Sequence, residues 1–394
     1  MCEGAPLLPL CGRRENGEGA GDIASAWILS DGRSGHEAQT LGLAEALGLR
    51  PRVIRLAPRG LFAAFSPFGP IDPRERGLVA PPFPDIVLAC GRRTIPHLRH
   101  VKRASGGAVF TVYVNRPATG LRTADLIIAP RHDAFFGANV LTPPTPPVRV
   151  TPARLAAARA APDPRIAALP APVVGVLVGG DSRHFRFSQK DVAELATAVS
   201  GLMEEGWSIA ATVSRRTPAR LAEALREIAT PSPTRGRRWP REAGSDEGPG
   251  RGQALSTQPS RHGPSSDPTS SGHLLPHAGE GARPEAPRAF LWEGEGENPY
   301  FSILACSDAL LVTGDSVNMA SDAAATGAPV HVFAPGGSPK LAAFLAGLES
   351  LGAVRRWAGR LEHWSYDAVD STWELAESIA RAYLRFAREK SGGA

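Results

Sequence analysis

DALLVTGDSVNMASDAAATGAPVHVF spans residues 308–333 and has the pattern of one complete βαβ step. The apolar run at 308–313 predicts a buried strand, and a Gly-Asp-Ser turn follows it. Residues 317–326 have the spacing of an amphipathic helix, and a second strand begins at Pro329. Because this step is the repeating unit of parallel α/β sheets, the stretch predicts the fold class of the chain.

The turn of this stretch is Gly314-Asp315-Ser316, which lies where the strand ends and the helix begins. Backbone N–H groups without an intrahelical partner point outward there, at the positive end of the helix dipole. Such a place binds anions, and phosphate is the obvious candidate. Ser316 is expected to cap the helix, while Ser321 and Asp322 follow further in, where a carboxylate can receive ribose hydroxyls. A capped helix without a ligand explains the same residues, and both interpretations stay open.

The chain of 394 residues has room for two domains and a large core. It contains no apolar run of the ~18–20 residues that a membrane helix needs, and its first residues lack the pattern of a secretory signal. The four cysteines show no metal-binding or redox spacing. A net charge of +5 is too small and too dispersed to indicate a nucleic-acid partner. We therefore expect a cytoplasmic protein, and peripheral association with the inner membrane stays open.

Residues 26–48, AWILSDGRSGHEAQTLGLAEALG, repeat the strand, glycine loop and helix near the start of the chain. Gly32 and Gly35 lie in the turn, and His36 begins the helix. A histidine in that place is either a surface residue or a general base, since the helix dipole disfavours its charged form.

Arginines follow two further predicted strands. Arg92 and Arg93 come after the apolar strand at 85–90, where they either contact an anionic ligand or belong to a solvated helix face. Ser214 and Arg215 follow a later strand. Because open α/β sheets bind ligands at the carboxyl ends of their strands, both pairs are candidates for contacts to an anion.

A third glycine loop, GGDSR at residues 179–183, ends another buried strand. The backbone at Gly179 and Gly180 is suited to an anion, together with the hydroxyl of Ser182. Arg183 adds a guanidinium that can neutralise a diphosphate. Three such loops at strand ends indicate a site in the cleft between two α/β domains.

Composition also divides the chain into domains. Gly, Pro, Ser and Arg dominate residues 231–288, which cannot bury enough apolar surface to offset their ordering entropy, so we expect a disordered insertion without a catalytic role. The other predicted segments are a disordered tail at 1–23, an N-terminal Rossmann-like domain at 24–150, a linker at 151–171, a C-terminal Rossmann-like domain at 172–365 and a C-terminal helix at 366–394.

Five segments of the chain carry a resemblance to a known family. They are WILSDGRSGHEAQTLGLAEALG, GRRTIPHLRHVKRASGG, GGDSRHFRFS, SRRTP and the stretch at 292–333. Together they resemble the ELM1-like family, which comprises plant mitochondrial fission factors and bacterial relatives. The resemblance covers the whole chain apart from the tail and the insertion. It implies two Rossmann-like domains that face a cleft, as in GT-B glycosyltransferases.

The resemblance also bears on the chemistry. Bacterial relatives are often labelled nucleoside-diphosphate-sugar epimerases, but the chain has no GxxGxxG after its first strand and no Tyr-x-x-x-Lys, which argues against an NAD-dependent epimerase. Its loops are instead similar to those of the GT-B enzyme that adds N-acetylglucosamine to the lipid-linked peptidoglycan precursor. The similar parts are residues 32–36, residues 179–182 and the pair Ser321 and Asp322. Asp322 departs from that pattern, because it is one methylene shorter than the glutamate of that enzyme.

The resemblance thus implies a metal-independent glycosyltransferase that takes a nucleoside-diphosphate sugar and no cofactor. His36 is the predicted base, or the contact to the leaving phosphate. The acceptor side is predicted at Asp31, Gly32, Gly35, Arg92 and Arg93. The nucleotide and diphosphate are predicted at Gly179, Gly180, Ser182, Arg183, Ser214, Arg215, Asn298, Gly314, Asp315, Ser316, Ser321 and Asp322.

A competing hypothesis is a non-catalytic adaptor that binds a nucleotide or a protein, as the plant members of the family imply. The donor sugar, the acceptor and the oligomeric state stay open. An acceptor carried on a lipid would require an exposed apolar or basic patch on the N-terminal half. Residues 61–68 are the candidate for that patch, and their phenylalanines fit a buried core equally well.

Overall fold

The computed structural model describes residues 23–182, 185–230, 287–334 and 336–392. Arg183, nearly all of the predicted tail, and the predicted insertion apart from its last two residues lie outside these ranges. Within them, no helix combines the length and the apolar character needed to cross a membrane.

The N-terminal half is built on a parallel sheet which, in the described residues, has six strands in the order β2-β1-β3-β4-β5-β6. Its strands are β1 (Ala26–Ser30), β2 (Arg52–Arg55), β3 (Ile86–Cys90), β4 (Phe110–Val114), β5 (Leu126–Ile128) and β6 (Val140–Leu141). Its helices are α1 (Ser34–Ala46), α2 (Gly60–Ala64) and α3 (Ile95–Ala104). Both faces of this sheet are covered, with α1 on one core and α3 on the other. Burial on both faces explains why β1, β3 and β4 are buried at every residue.

The C-terminal half repeats the plan, with a parallel sheet in the order β12-β11-β10-β7-β8-β9. Its strands are β7 (Val173–Val178), β8 (Ser208–Val213), β9 (Ala289–Trp292), β10 (Ala309–Thr313), β11 (Val330–Phe333) and β12 (Val354–Arg356). The helices along this part of the chain are α4 (Pro152–Ala160), α5 (Pro164–Ala167), α6 (Gln189–Glu204), α7 (Ala219–Ala229), α8 (Tyr300–Cys306), α9 (Val317–Ala324), α10 (Pro339–Ser350) and α11 (Thr372–Ser391). The predicted fold class, two Rossmann-like α/β halves, is confirmed.

The βαβ step at 308–333 lies at the centre of the second sheet. Strand β10 pairs with β7 on one side and with β11 on the other. Because all three strands run parallel, the loops that follow β7 and β10 leave the same edge of the sheet side by side. This pairing brings the two glycine loops of the C-terminal half together.

The chain crosses between the halves a second time at its C-terminus. Helix α11 packs on the core of the first sheet through Leu375, Ile379 and Tyr383, and the Tyr383 ring meets Phe110 edge-on at 6.0 Å. In the stretch predicted as a linker, Leu155 is buried in the core of the second sheet. The core of each half therefore includes a helix from outside the run of residues that forms its sheet.

Candidate functional site

The glycine loop after β7 is filled by a carboxylate of the chain itself. Asp315 accepts the backbone N–H of Gly180 at 2.8 Å through Oδ2 and the hydroxyl of Thr313 at 2.7 Å through Oδ1. The N–H of Gly179 donates to the same threonine hydroxyl at 2.8 Å. Burial raises the pKa of Asp315 above its usual range, against these hydrogen bonds. The N–H of Gly180, which the sequence predicts to bind a ligand anion, therefore donates to the carboxyl group of Asp315 in this structure.

Gly180 also lies in close contact with the loop after β8. A Cβ at this position would lie 2.2 Å from the carbonyl carbon of Arg216, so only glycine fits. Asp181 donates its N–H to the Arg216 carbonyl at 3.0 Å, and Thr217 accepts the N–H of Ser214 at 2.9 Å. Ser214 and Gly180 therefore have internal partners that hold the two loops against each other.

Three predicted nucleotide contacts on α9 have internal roles as well. Ser316 caps the helix as predicted, with its hydroxyl 3.4 Å from the N–H of Met319. Ser321 is fully buried, and its hydroxyl donates to the Val317 carbonyl at 2.8 Å. Asp322 accepts the hydroxyl of Tyr300 at 2.9 Å, and burial raises its pKa to about 7. The role of Ser321 and Asp322 in binding ribose stays a prediction, and in this structure both side chains have internal partners.

On the N-terminal half, the structure pairs His36 with Asp31. Nδ1 of the imidazole lies 3.0 Å from Oδ1 of the carboxylate. The His36 side chain is 24% exposed, whereas that of Asp31 is 6% exposed. Burial alone would raise the pKa of Asp31, but the hydrogen bond and charge of His36 outweigh it and the pKa lies below its usual value. If Nδ1 carries the proton that it shares with Asp31, Nε2 holds the free lone pair.

Gly91, at the end of β3, makes room for this pair. Its φ is +95°, which favours glycine. A Cβ there would lie 2.4 Å from the Asp31 carboxylate and 2.8 Å from Nδ1 of His36. The Asp31–His36 pair after β1 thus depends on the space that Gly91 leaves at the end of the neighbouring strand β3.

The helix that carries His36 begins without a side-chain cap. Arg33 occupies the N-cap position of α1, and a guanidinium has no acceptor atom. Elsewhere α6 begins with a complete capping box of Ser188 and Asp191. No side-chain cap therefore occupies the N–H donors and the positive dipole end at the start of α1.

The two halves meet at this helix start. Gln39 donates through Nε2 to Oδ1 of Asn318 at 2.8 Å, and Arg215 donates to the hydroxyl of Ser34 at 3.5 Å. A Cβ on Gly35 would lie 2.2 Å from the Asn318 amide nitrogen. The N-terminal ends of α1 and α9 and an exposed guanidinium therefore converge beside His36. We name this place, defined by Ser34, Gly35, His36, Arg215 and Asn318, the junction.

A family comparison fits this architecture. The family model described as "Mitochondrial fission ELM1" matches residues 34–251 and 280–383. The chain belongs to the mitochondrial fission ELM1 family. The Arabidopsis thaliana "Mitochondrial fission protein ELM1" is 27% identical over 325 residues, which cover 76% of this chain and 64% of that protein. The chain thus matches less than two thirds of the length of this plant relative, and the predicted family resemblance is confirmed.

Two solved structures illustrate the similarity of this chain to known structures. A UDP-GlcNAc 2-epimerase from Methanocaldococcus jannaschii is 9% identical, with 90% of this chain and 98% of that chain covered and a TM-score of 0.46. MurG from Acinetobacter baumannii is 11% identical, with 91% and 92% covered and a TM-score of 0.39.

In this ELM1-family chain a network of buried polar side chains lies next to the junction and is connected to it through Gln39. Gln39 is 5% exposed, and its Oε1 accepts the side-chain N–H of Asn115 at 3.1 Å and the thiol of Cys90 at 3.6 Å. Asn115 has a φ of +79°, a conformation that asparagine tolerates better than most residues. Sequence reasoning missed Gln39, Asn115 and Asn318.

A second bridge joins the halves through Asp133 and Lys340. Asp133 follows β5 and is 2% exposed in its side chain, and it forms an ion pair with Lys340 of α10. Next to it the His132 ring meets Phe344 edge-on at 4.9 Å. The halves are thus tied at two separate places along the edge where their loops meet.

Other predicted site residues lie outside the junction. Arg92 and Arg93 are exposed in a turn of 3-10 helix after β3. Asn298, two residues before the start of α8, accepts the backbone N–H of Tyr300 at 3.1 Å. Gly32 adopts a φ of +78° with open space around it, and Gly314 packs against Ala334.

Proposed function

We propose that this ELM1-family protein binds a nucleoside-diphosphate sugar at the junction and transfers the sugar to an acceptor hydroxyl. The observation that carries the proposal is the His36–Asp31 pair at an uncapped helix start, opposite Arg215 of the other half. A base, an orienting carboxylate and an anion-binding helix end in one place are what group transfer from a diphosphate requires.

The junction supplies the charge that a diphosphate needs. Each of the two helix N-termini favours an anion by about 0.3–1 kcal/mol. A hydrogen bond from the Arg215 guanidinium adds about 1.5–3 kcal/mol. We place the diphosphate here rather than on Gly180, because the N–H of Gly180 already donates to Asp315.

His36 supplies the base in the proposed step. The oxygen of the acceptor hydroxyl bonds to the anomeric carbon of the sugar as the bond from that carbon to the diphosphate oxygen breaks. The hydroxyl proton goes to Nε2 of His36, and the nucleoside diphosphate leaves with the electron pair of the broken bond. Asp31, bonded to Nδ1, stabilises the imidazolium that forms. The alternative role of His36, a contact to the leaving phosphate, uses the same nitrogen.

A second candidate function is a nucleotide-binding adaptor without turnover. The Gln39–Asn318 hydrogen bond and the Asp133–Lys340 ion pair favour it, because both tie the halves together at the edge where substrates would enter. An adaptor needs only to bind its nucleotide at the junction, whereas a transferase must also open the junction to release its product.

Turnover of labelled nucleotide sugars by the full chain separates the two functions. UDP-, GDP- and ADP-sugars are incubated with the wild type and with His36→Ala in the presence of a panel of alcohols as acceptors, and free nucleoside diphosphate and sugar products are quantified. The transferase proposal predicts release that His36→Ala lowers by about 10²-fold or more while nucleotide binding persists. Binding without release in the wild type supports the adaptor, and release that His36→Ala leaves unchanged contradicts the assigned base.

A further inference from the structure

An apolar segment of the N-terminal half protrudes without a partner. Helix α2 (Gly60–Ala64) has the sequence GLFAA, yet none of its residues is buried. Leu61 is 71% exposed, Phe65 is 62% exposed and Phe68 is 69% exposed. The N–H of Phe65 donates to the Leu61 carbonyl at 2.8 Å, so these two side chains lie one turn apart on the same side. We name residues 60–69 the docking segment.

Single exposed apolar residues are common on protein surfaces, but a cluster of large ones marks an interaction surface. The docking segment is also held firmly in place. Ser66 donates its hydroxyl to the Arg92 carbonyl at 2.9 Å, and the Arg99 side chain donates to the Pro67 carbonyl. Its exposed rings are therefore presented by anchored backbone at the start of α3.

The part of the chain that contains and anchors the docking segment has an excess of basic residues. Residues 59–103 contain eight Arg and Lys side chains against three Asp and Glu side chains. Asp72, Glu75 and Asp85 are the three acids, and each accepts backbone N–H groups of the chain itself. The exposed arginines are Arg59, Arg74, Arg76, Arg92, Arg93 and Arg103. A partner for this surface must therefore combine negative charge with an apolar interior.

We propose that the docking segment and its arginines bind the surface of an anionic lipid bilayer. Leucine and phenylalanine enter the boundary between headgroups and acyl chains, while arginines pair with the negative surface. This inference does not depend on sugar transfer, since it concerns a surface outside the junction. It does place the bilayer near His36. Ser66 of the docking segment donates to the Arg92 carbonyl, and a Cβ built on the preceding Gly91 would lie 2.8 Å from Nδ1 of His36.

Cosedimentation of the full chain with vesicles tests the proposal without any nucleotide. Vesicles of phosphatidylcholine mixed with phosphatidylglycerol are compared with vesicles of phosphatidylcholine alone. We expect binding to the anionic vesicles that salt weakens, and about tenfold or greater loss of affinity in Phe65→Ser/Phe68→Ser. Arg59→Gln/Arg76→Gln is expected to weaken binding and to flatten its salt dependence.

Trp373→Ser is the matched control. Trp373 is also an exposed aromatic, at 48%, but it lies on α11, which packs on the opposite face of the N-terminal sheet from α3. Its loss should leave vesicle binding unchanged, and circular dichroism and thermal unfolding confirm that each variant folds. The proposal is overturned if the wild type does not bind anionic vesicles, or if Phe65→Ser/Phe68→Ser binds them like the wild type. A dimer that forms in the wild type and is lost in that variant, with no vesicle binding, would assign the docking segment to self-association instead.

Discussion

The imidazole of His36 and the carboxylate of Asp31 are joined by a contact of 3.0 Å between Nδ1 and Oδ1. The carboxylate is almost fully buried, whereas the ring is partly exposed at the junction. This asymmetry lets Asp31 orient the ring while Nε2 stays available to a ligand. The proposed chemistry therefore depends on Asp31 as well as on His36.

Asp31→Asn is expected to lower turnover by about 10²-fold or more. The amide keeps the size of the side chain but no longer balances the charge of an imidazolium. Steady-state kinetics should show the loss in kcat, with KM for the nucleotide sugar little changed. His363→Ala, at an exposed histidine that stacks on Trp207, is the control and should retain full turnover. Equal turnover in Asp31→Asn and the wild type would contradict the role of the pair.

Gly180→Ala is expected to destabilise the fold by about 1–3 kcal/mol or more. Its Cβ would lie 2.2 Å from the carbonyl carbon of Arg216, and this backbone cannot move aside as a flexible side chain can. Urea unfolding measures the change. Gly201→Ala in α6 is the matched control, because a Cβ there meets open space and alanine favours the helix. A Gly180→Ala protein as stable as the wild type would show that the loop contact is not tight.

Asp322 is expected to make stability depend on pH. Its pKa is raised from 3.8 to about 7 by burial, so the folded protein keeps a proton that the unfolded chain releases. The free energy of unfolding therefore falls as pH rises from about 4 to about 7 and levels off above, by up to about 4 kcal/mol. Asp322→Asn, which can still accept the Tyr300 hydroxyl, should remove this slope.

Urea unfolding of Asp322→Asn at several pH values checks the sign of that effect. The variant should match the wild type near pH 4 and exceed its stability at pH 8. Asp367→Asn, at an exposed aspartate, should follow the wild type throughout. The assignment would be contradicted if the stability of the wild type rose between pH 4 and pH 7 and Asp322→Asn abolished that rise.

Lys340→Gln is expected to cost about 1–3 kcal/mol of unfolding free energy. The substitution leaves the buried carboxylate of Asp133 without its cationic partner from the other half. Lys190→Gln is the control, since Lys190 is 82% exposed and its pairing with Glu194 is a surface ion pair of small value. Similar effects of the two substitutions on urea unfolding would show that the bridge contributes nothing special.

Much of the fold was predictable from local patterns. The apolar runs that become β1, β3, β7 and β10 are long, unbroken and followed by glycine loops, so each predicted a buried parallel strand. The helix from 317 ends at Ala324, two residues earlier than predicted. The proximity of His36 and Asp31 was also predictable, because they are only five positions apart in the sequence.

The contacts between distant segments were not predictable in the same way. Gln39 and Asn318 are 279 residues apart, and Gly180 and Asp315 are 135 residues apart. Which polar groups meet depends on how the sheets order their strands and how the halves face each other, and no local periodicity reports that. Local patterns therefore predicted that Gly180 and Asp315 bind a ligand, and they could not show the hydrogen bond between these two residues.

Calorimetric titration of the full chain with UDP, GDP, CDP and ADP tests the central claim, that the junction binds a nucleoside diphosphate. We expect saturable binding of at least one of them, weakened about tenfold to hundredfold in Arg215→Gln. Arg385→Gln, at an exposed arginine on α11, should bind like the wild type. Absence of binding by all four, or equal affinity in Arg215→Gln and the wild type, would contradict it.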